Sequence, residues 1–228
     1  MTRIAEYRAA LLDRDPAGWG SYLDEHSGLP GPRGNIELAL AYADVAAPAL
    51  GDELIASGDE YRTFCGVVAL GDRAADPVVQ GRLREHASDP RWRVREAVAM
   101  ALQRLGDADL PTLEEIVLAW ADDPDPLVQR AAAAAVCEPR LLATPEAAAV
   151  AVTVCRRATA ALAALSPEDR RRPEVRTLRQ GLGYCWSVAV AADPTAGLPA
   201  FGALDTHDPD VGWIVRENLT KKRLARLV

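Results

Sequence analysis

The fold class the sequence predicts is all-α, a right-handed α-α superhelix of stacked helical pairs. Three observations predict it: an apolar period that is helical almost everywhere, prolines that open helices rather than break them, and an internal repeat of 34 residues. Seven of the sixteen prolines follow aspartate (Pro16, Pro77, Pro90, Pro124, Pro126, Pro194, Pro209), while Pro145 follows Thr144 and Pro167 follows Ser166. In each case a side-chain oxygen stands ready for the free N–H groups of a first turn, and proline gives up only an N–H that has no helical partner.

In chain order these signals place helices near 3–13, 35–47, 60–72, 77–87, 89–106, 111–121, 126–137, 145–164, 173–192, 195–203 and 209–220. The clearest runs from Asp89. Its apolar positions Val94, Ala97, Val98, Ala101, Leu102 and Leu105 form one stripe, and Gly106 closes it. Residues 28–35 (GLPGPRGN) read as a turn-rich loop after the N-terminal helices.

Asp89-Pro90-Arg91-Trp92-Arg93-Val94-Arg95-Glu96-Ala97 aligns without gaps on Asp123-Pro124-Asp125-Pro126-Leu127-Val128-Gln129-Arg130-Ala131. Trp213-Ile214-Val215-Arg216-Glu217 then repeats Trp92 to Glu96. A period of this length signals helical hairpins, each too small to bury its own apolar face, stacked on their neighbours. The pattern Asp-Pro-x-x-x-Val-Arg-x-x-Ala resembles the second-helix signature of HEAT-like repeats, of the short bacterial kind also found beside phycobilisome lyases. The resemblance is carried by 89–137 and 208–220; over 1–75 and 138–195 only helix lengths fit. It implies a scaffold whose concave face, built by the second helices, meets a partner. It also implies a ladder in which the Asp before that helix and the Arg within it bond across neighbouring repeats, through Asp89 with Arg95 and Asp210 with Arg216, while beside Asp123 of the middle copy Gln129 replaces the Arg.

The chemistry that is missing narrows the function. No phosphate-binding loop exists, since the only lysines are Lys221 and Lys222, and neither a G-x-S-x-G nor an H-E-x-x-H motif occurs. Cys65, Cys137, Cys155 and Cys185 lie in apolar helical stretches with no C-x-x-C pair, so they read as reduced core residues; no metal or cofactor is expected. His26, His86 and His207 fall at helix ends or in loops beside acids and read as solvated residues. The N-terminus has no apolar targeting core, which makes the expected location cytoplasmic. An Arg to Lys ratio of 24 to 2 with heavy alanine use points to a high-GC bacterial source.

What remains are aromatic and basic side chains. On a helical wheel Trp92 stands about 160° from Val94, away from its own helix's core stripe. It either packs on a neighbouring helix or lines a binding face with the arginines around it. The expected contact residues are Arg91, Trp92, Arg93 and Arg130 in the middle, with Trp213, Arg216, Lys221 and Lys222 at the C-terminal end, because buried Trp and Arg dominate binding energy. A second basic concentration comprises Arg156, Arg157, Arg170, Arg171, Arg172, Arg176 and Arg179. The expected partner is another protein or an acidic ligand, with nucleic acid as the alternative and no membrane. That alternative rests on a resemblance of residues 88–97 to the HEAT-like alkylpurine DNA glycosylases, whose catalytic aspartate sits among tryptophans. The nearest counterpart here, Trp120-Ala121-Asp122-Asp123, lacks their spacing.

The net charge of −7 belongs to the first sixty residues, which hold four basic and eleven acidic side chains; residues 61–228 hold 22 of each. This divides the chain into an expected acidic helical cap, 1–60, and a neutral repeat body, 61–228, whose clustered arginines suit an anionic partner.

Overall fold

The computed structural model describes residues 2–228, and among these the regular structure is helical throughout, with no strand. No helix among them is long and apolar enough to cross a membrane. The chain forms two compact units, one ending at Leu105 and one spanning Gly106–Val228.

The first unit contains α1 (Arg3–Leu12), α2 (Trp19–Glu25), α3 (Ile36–Val45), α4 (Pro48–Ala56), α5 (Glu60–Ala69) and α6 (Pro77–Ala87), and α7 (Trp92–Ala108) carries the chain into the second. α1 packs on α3, α3 on α5 and α4 on α5. A Cβ on Gly66 of α5 would lie 2.6 Å from the Gly51 carbonyl of α4, so glycine is what permits that approach. Leu11, Leu23, Leu38, Tyr42, Tyr61, Leu70, Leu83 and Leu102 fill the core. Acidic side chains of the first sixty residues pair with arginines beyond them. Asp24 pairs with Arg62, and Asp44 receives Arg104, which also reaches Asp72. Loop 28–35 is closed by the Asn35 N–H donating to the Ser27 carbonyl, and Asn35 then caps α3.

The second unit contains α8 (Leu110–Trp120), α9 (Pro126–Val136), α10 (Pro145–Ala163), α11 (Pro173–Ala192), α12 (Pro194–Gly202), α13 (Pro209–Leu219) and α14 (Lys222–Ala225). α11 is its axis, packed against α9, α10, α12, α13 and α14. Asn218 of α13 is fully buried against it. Its amide donates to the carbonyls of Leu182 and Ile214 and accepts from the Ser187 N–H. The thiols of Cys65, Cys137, Cys155 and Cys185 are all free and buried.

The proline rule holds at most of the expected starts and fails at three. Pro77, Pro126, Pro145, Pro194 and Pro209 each occupy the first position of an α-helix behind a capping Asp or Thr, and Pro16 opens a 3-10 turn behind Asp15. Pro90, Pro124 and Pro167 lie one to two residues outside the helices expected to begin there. Asp89 and Asp123 form a turn instead, each accepting the N–H two residues on, from Arg91 and Asp125, so the helix opens after the turn.

Candidate functional site

The repeat signature serves the turn that precedes the helix. Arg95 reaches back six residues to donate to the Asp89 carbonyl at 2.7 Å, and Gln129 donates to the Asp123 carbonyl over the same separation and distance. Gln129 thus supplies the bond that the arginine supplies one copy earlier. The third copy is built differently. α13 begins at Pro209 behind the cap Asp208, so Asp210 stands inside the first helical turn, and its carboxylate pairs with Arg179 at 2.6 Å and Arg170 at 3.4 Å.

The arginines beside Trp92 are spent inside the first unit. Arg91 pairs with Asp89 at 2.7 Å and donates to the Gly58 carbonyl and the Thr63 hydroxyl. Burial disfavours the Asp89 charge, but Arg91, by side chain and backbone N–H, holds that carboxyl below the usual carboxylate range. Arg93, only 16% exposed, pairs with Glu60 and donates to the Gly31 carbonyl, pinning loop 28–35. Trp92 itself remains 45% exposed, with the Arg93 guanidinium 4.6 Å from its ring centre.

The C-terminal residues divide similarly. Trp213 is half-buried against α11, where a Cβ on Gly183 would fall 2.8 Å from its ring, and Arg179 covers the ring at 4.8 Å. Lys221 pairs with Glu217. Arg130 lays its stem on α11 beside Gly181, and the exposed Arg216 folds back along α13 beside Gly212. Lys222 is exposed.

A different group of side chains forms a concavity. Arg170, Arg171, Arg176 and Arg179 line a cleft of about 650 Å³ whose remaining wall is Leu165, Pro167, Pro209 and Asp210. The 3-10 turn Asp169–Arg171 presents the first two, and α11 presents the others three residues apart and so on one face. Ser166 fixes that turn by donating to the Asp169 carboxylate while accepting the Asp169 N–H. Arg170 is committed, donating to the carbonyls of Leu165 and Ala163 and to Asp208 at 2.6 Å. Burial opposes the Asp208 charge; the N–H groups of Val211 and Asp210, with Arg170, nevertheless hold its carboxyl below the usual range. The Nε of Arg179 is buried without a partner. Arg171 and Arg176 are exposed, and their guanidiniums make no ion pair or hydrogen bond among the described residues. The sequence showed these arginines as a cluster. Their convergence with Asp208-Pro209-Asp210, some thirty residues on, depends on α13 folding back against α11.

The aspartates after Trp120 do not stand in a comparable cleft. Trp120 is buried in the core, Asp122 pairs with Arg157 at 2.7 Å, and Asp123 accepts the Asp125 N–H in the turn described above. His26 ends α2 edge-on to Tyr22, His86 lies half-buried in the last turn of α6, and His207 is exposed. Among the described residues no group of three His, Cys, Asp or Glu side chains is placed to hold a metal ion.

Residues 47–137 match the family described as HEAT repeats. No curated protein matches the chain. Among solved structures, the crystal structure of an engineered protein is similar at 18% identity, covering 100% of this chain and 98% of that one with a TM-score of 0.38.

Proposed function

Taking the chain as a HEAT-like repeat protein, with the repeats matched over 47–137, we propose that it is a non-catalytic interaction scaffold whose second unit binds an acidic protein segment. Repeats of this kind are stacked to present surface rather than to assemble reacting groups. The observation that carries the reading is the arginine cleft, where two exposed guanidiniums without partners stand beside two that carboxylates already hold. An ion-paired Arg170 and Arg179 act as the fixed floor, and Arg171 and Arg176 are the groups left to meet incoming carboxylates. Planar guanidiniums suit that role, because each presents two parallel donors to a carboxylate.

Lys222, Arg130, Trp213, Arg216 and Lys221 of the second unit remain proposed contacts, and the exposed Trp92 is a separate proposed contact on the first unit. Arg91 and Arg93 support the loops beneath Trp92 in this reading. The test is fluorescence anisotropy with a glutamate-rich peptide at rising salt. Binding that weakens as salt screens the charges, and that is lost in an Arg171→Glu/Arg176→Glu double variant, is expected. No binding of the wild type at low salt would refute the proposal. Tighter binding of a DNA duplex than of the peptide, lost in the same variant, would transfer the site to nucleic acid.

A further inference from the structure

We propose that the arginine cleft of the second unit takes a phosphorylated side chain of a protein partner, a phosphomonoester dianion, in preference to a carboxylate. This deepens the reading above and rests on it. The cleft gathers four guanidiniums, and two carboxylates, Asp208 and Asp210, stand among them. Counted over the lining side chains and the carboxylates that pair with them, the cleft is two positive charges in excess, carried by the two arginines with no ion-pair partner of their own; Asp169 of the same turn accepts from Ser166 and does not line the cleft. A single carboxylate neutralises half of that excess, whereas a phosphomonoester near pH 7 carries close to two negative charges and three strong acceptor oxygens.

The geometry fits the same ligand. Arg171 comes from a 3-10 turn and Arg176 from the start of α11, so the two approach the cleft from different elements. Each can take one oxygen of a phosphomonoester and leave the third for a further donor, whereas a carboxylate has only two oxygens in all. Both Arg170 and Arg179 are immobilised. The first is tied by two backbone carbonyls and Asp208, the second by Asp210 and the Trp213 ring. Rigid donors lose little freedom on binding. The apolar wall of Leu165, Pro167 and Pro209 gives the peptide chain that bears the phosphate a surface to lie on.

The experiment uses the full chain and a fluorescein-labelled degenerate peptide library fixed on a central phosphoserine. Parallel libraries carry glutamate or serine at that position, and inorganic phosphate serves as competitor. The expected result is that the phosphoserine library binds at least tenfold tighter than the glutamate library, while serine gives no binding. The Arg171→Glu/Arg176→Glu variant should lose the preference while keeping the wild-type melting curve; should it melt early, Arg171→Gln and Arg176→Gln singly provide the same comparison. Equal affinity for phosphoserine and glutamate would overturn the phosphate proposal and leave the acidic-segment reading standing. Absence of binding by both libraries would remove the two together. Inorganic phosphate that competes at concentrations equal to the peptide's own affinity would overturn the protein source, assigning the site to a free phosphate compound. Tighter binding of a DNA duplex would overturn it in favour of nucleic acid.

Discussion

Asp210→Asn gives the sharpest perturbation of the cleft, because it removes one of the two resident anions without removing an arginine. The carboxylate holds Arg179 at 2.6 Å and Arg170 at 3.4 Å. An anion that shares either guanidinium with Asp210 approaches from the opposite edge of the same planar group, which puts it about 6 Å from the carboxylate. Two unit charges at that distance repel by about 0.7 kcal/mol in a water-like dielectric, and a dianion by about 1.4 kcal/mol. Screening at physiological ionic strength roughly halves both figures. The expected gain in affinity for a phosphoserine peptide is therefore about threefold in physiological salt, rising to about tenfold at low salt. The same change costs the folded chain about 1 to 2 kcal/mol, since the pairs it weakens are partly buried. Anisotropy titrations at two salt concentrations, beside urea denaturation, measure both effects. Unchanged or weaker affinity at low salt, in a variant that still folds, would refute the argument that the resident carboxylates compete with the ligand.

Asn218→Ala deletes three buried hydrogen bonds, two from α13 to α11 and one within α13, and is expected to destabilise the chain by about 2–3 kcal/mol in urea denaturation; a loss under about 0.5 kcal/mol would show that water replaces them. Arg91→Ala and Arg93→Ala are each expected to lower stability by about 1 kcal/mol or more and to leave peptide affinity within twofold, because their guanidiniums anchor loops of the first unit. Burial lowers the pKa of half-buried His86, so the unfolded chain binds that proton more readily. Stability from this group is accordingly full above about pH 6.5 and is lost as pH falls below it, and His86→Gln should flatten that part of the stability profile. The carboxyls of Asp52, Asp89 and Asp208 are held below their ordinary range, so their contribution persists above about pH 4 and is lost on further acidification, a loss that Arg91→Ala should reduce at Asp89.

The helices were legible wherever an apolar stripe followed a side-chain cap, as in α9, α10 and α13. α4 escaped because Pro48 follows Ala47, which has no oxygen to cap with, so the proline rule was silent there. α2 escaped because Pro16 opens only a 3-10 turn before the helix proper. Pairing was beyond the sequence. Nothing in one dimension distinguishes Arg91 and Arg93, tied to Asp89, Glu60 and two carbonyls, from Arg171 and Arg176, which are tied to nothing. The basic run was visible, but its meaning depends on where two aspartates thirty residues later come to rest. The third repeat copy shares four of the five residues from Trp92 to Glu96 of the first, yet its helix opens earlier and turns Asp210 from a turn residue into a salt-bridge partner of α11.

The bond that Arg95 and Gln129 share has a consequence for how such a chain can vary. The backbone carbonyl it serves asks only for a donor at the right reach, so guanidinium and amide are interchangeable there, and the anchor is indifferent to net charge. At these two turns a positive charge is thereby present in one copy and absent in the other while both turns stay closed. The surface potential of the stack becomes a variable that mutation can adjust one repeat at a time, and the architecture does not register the change.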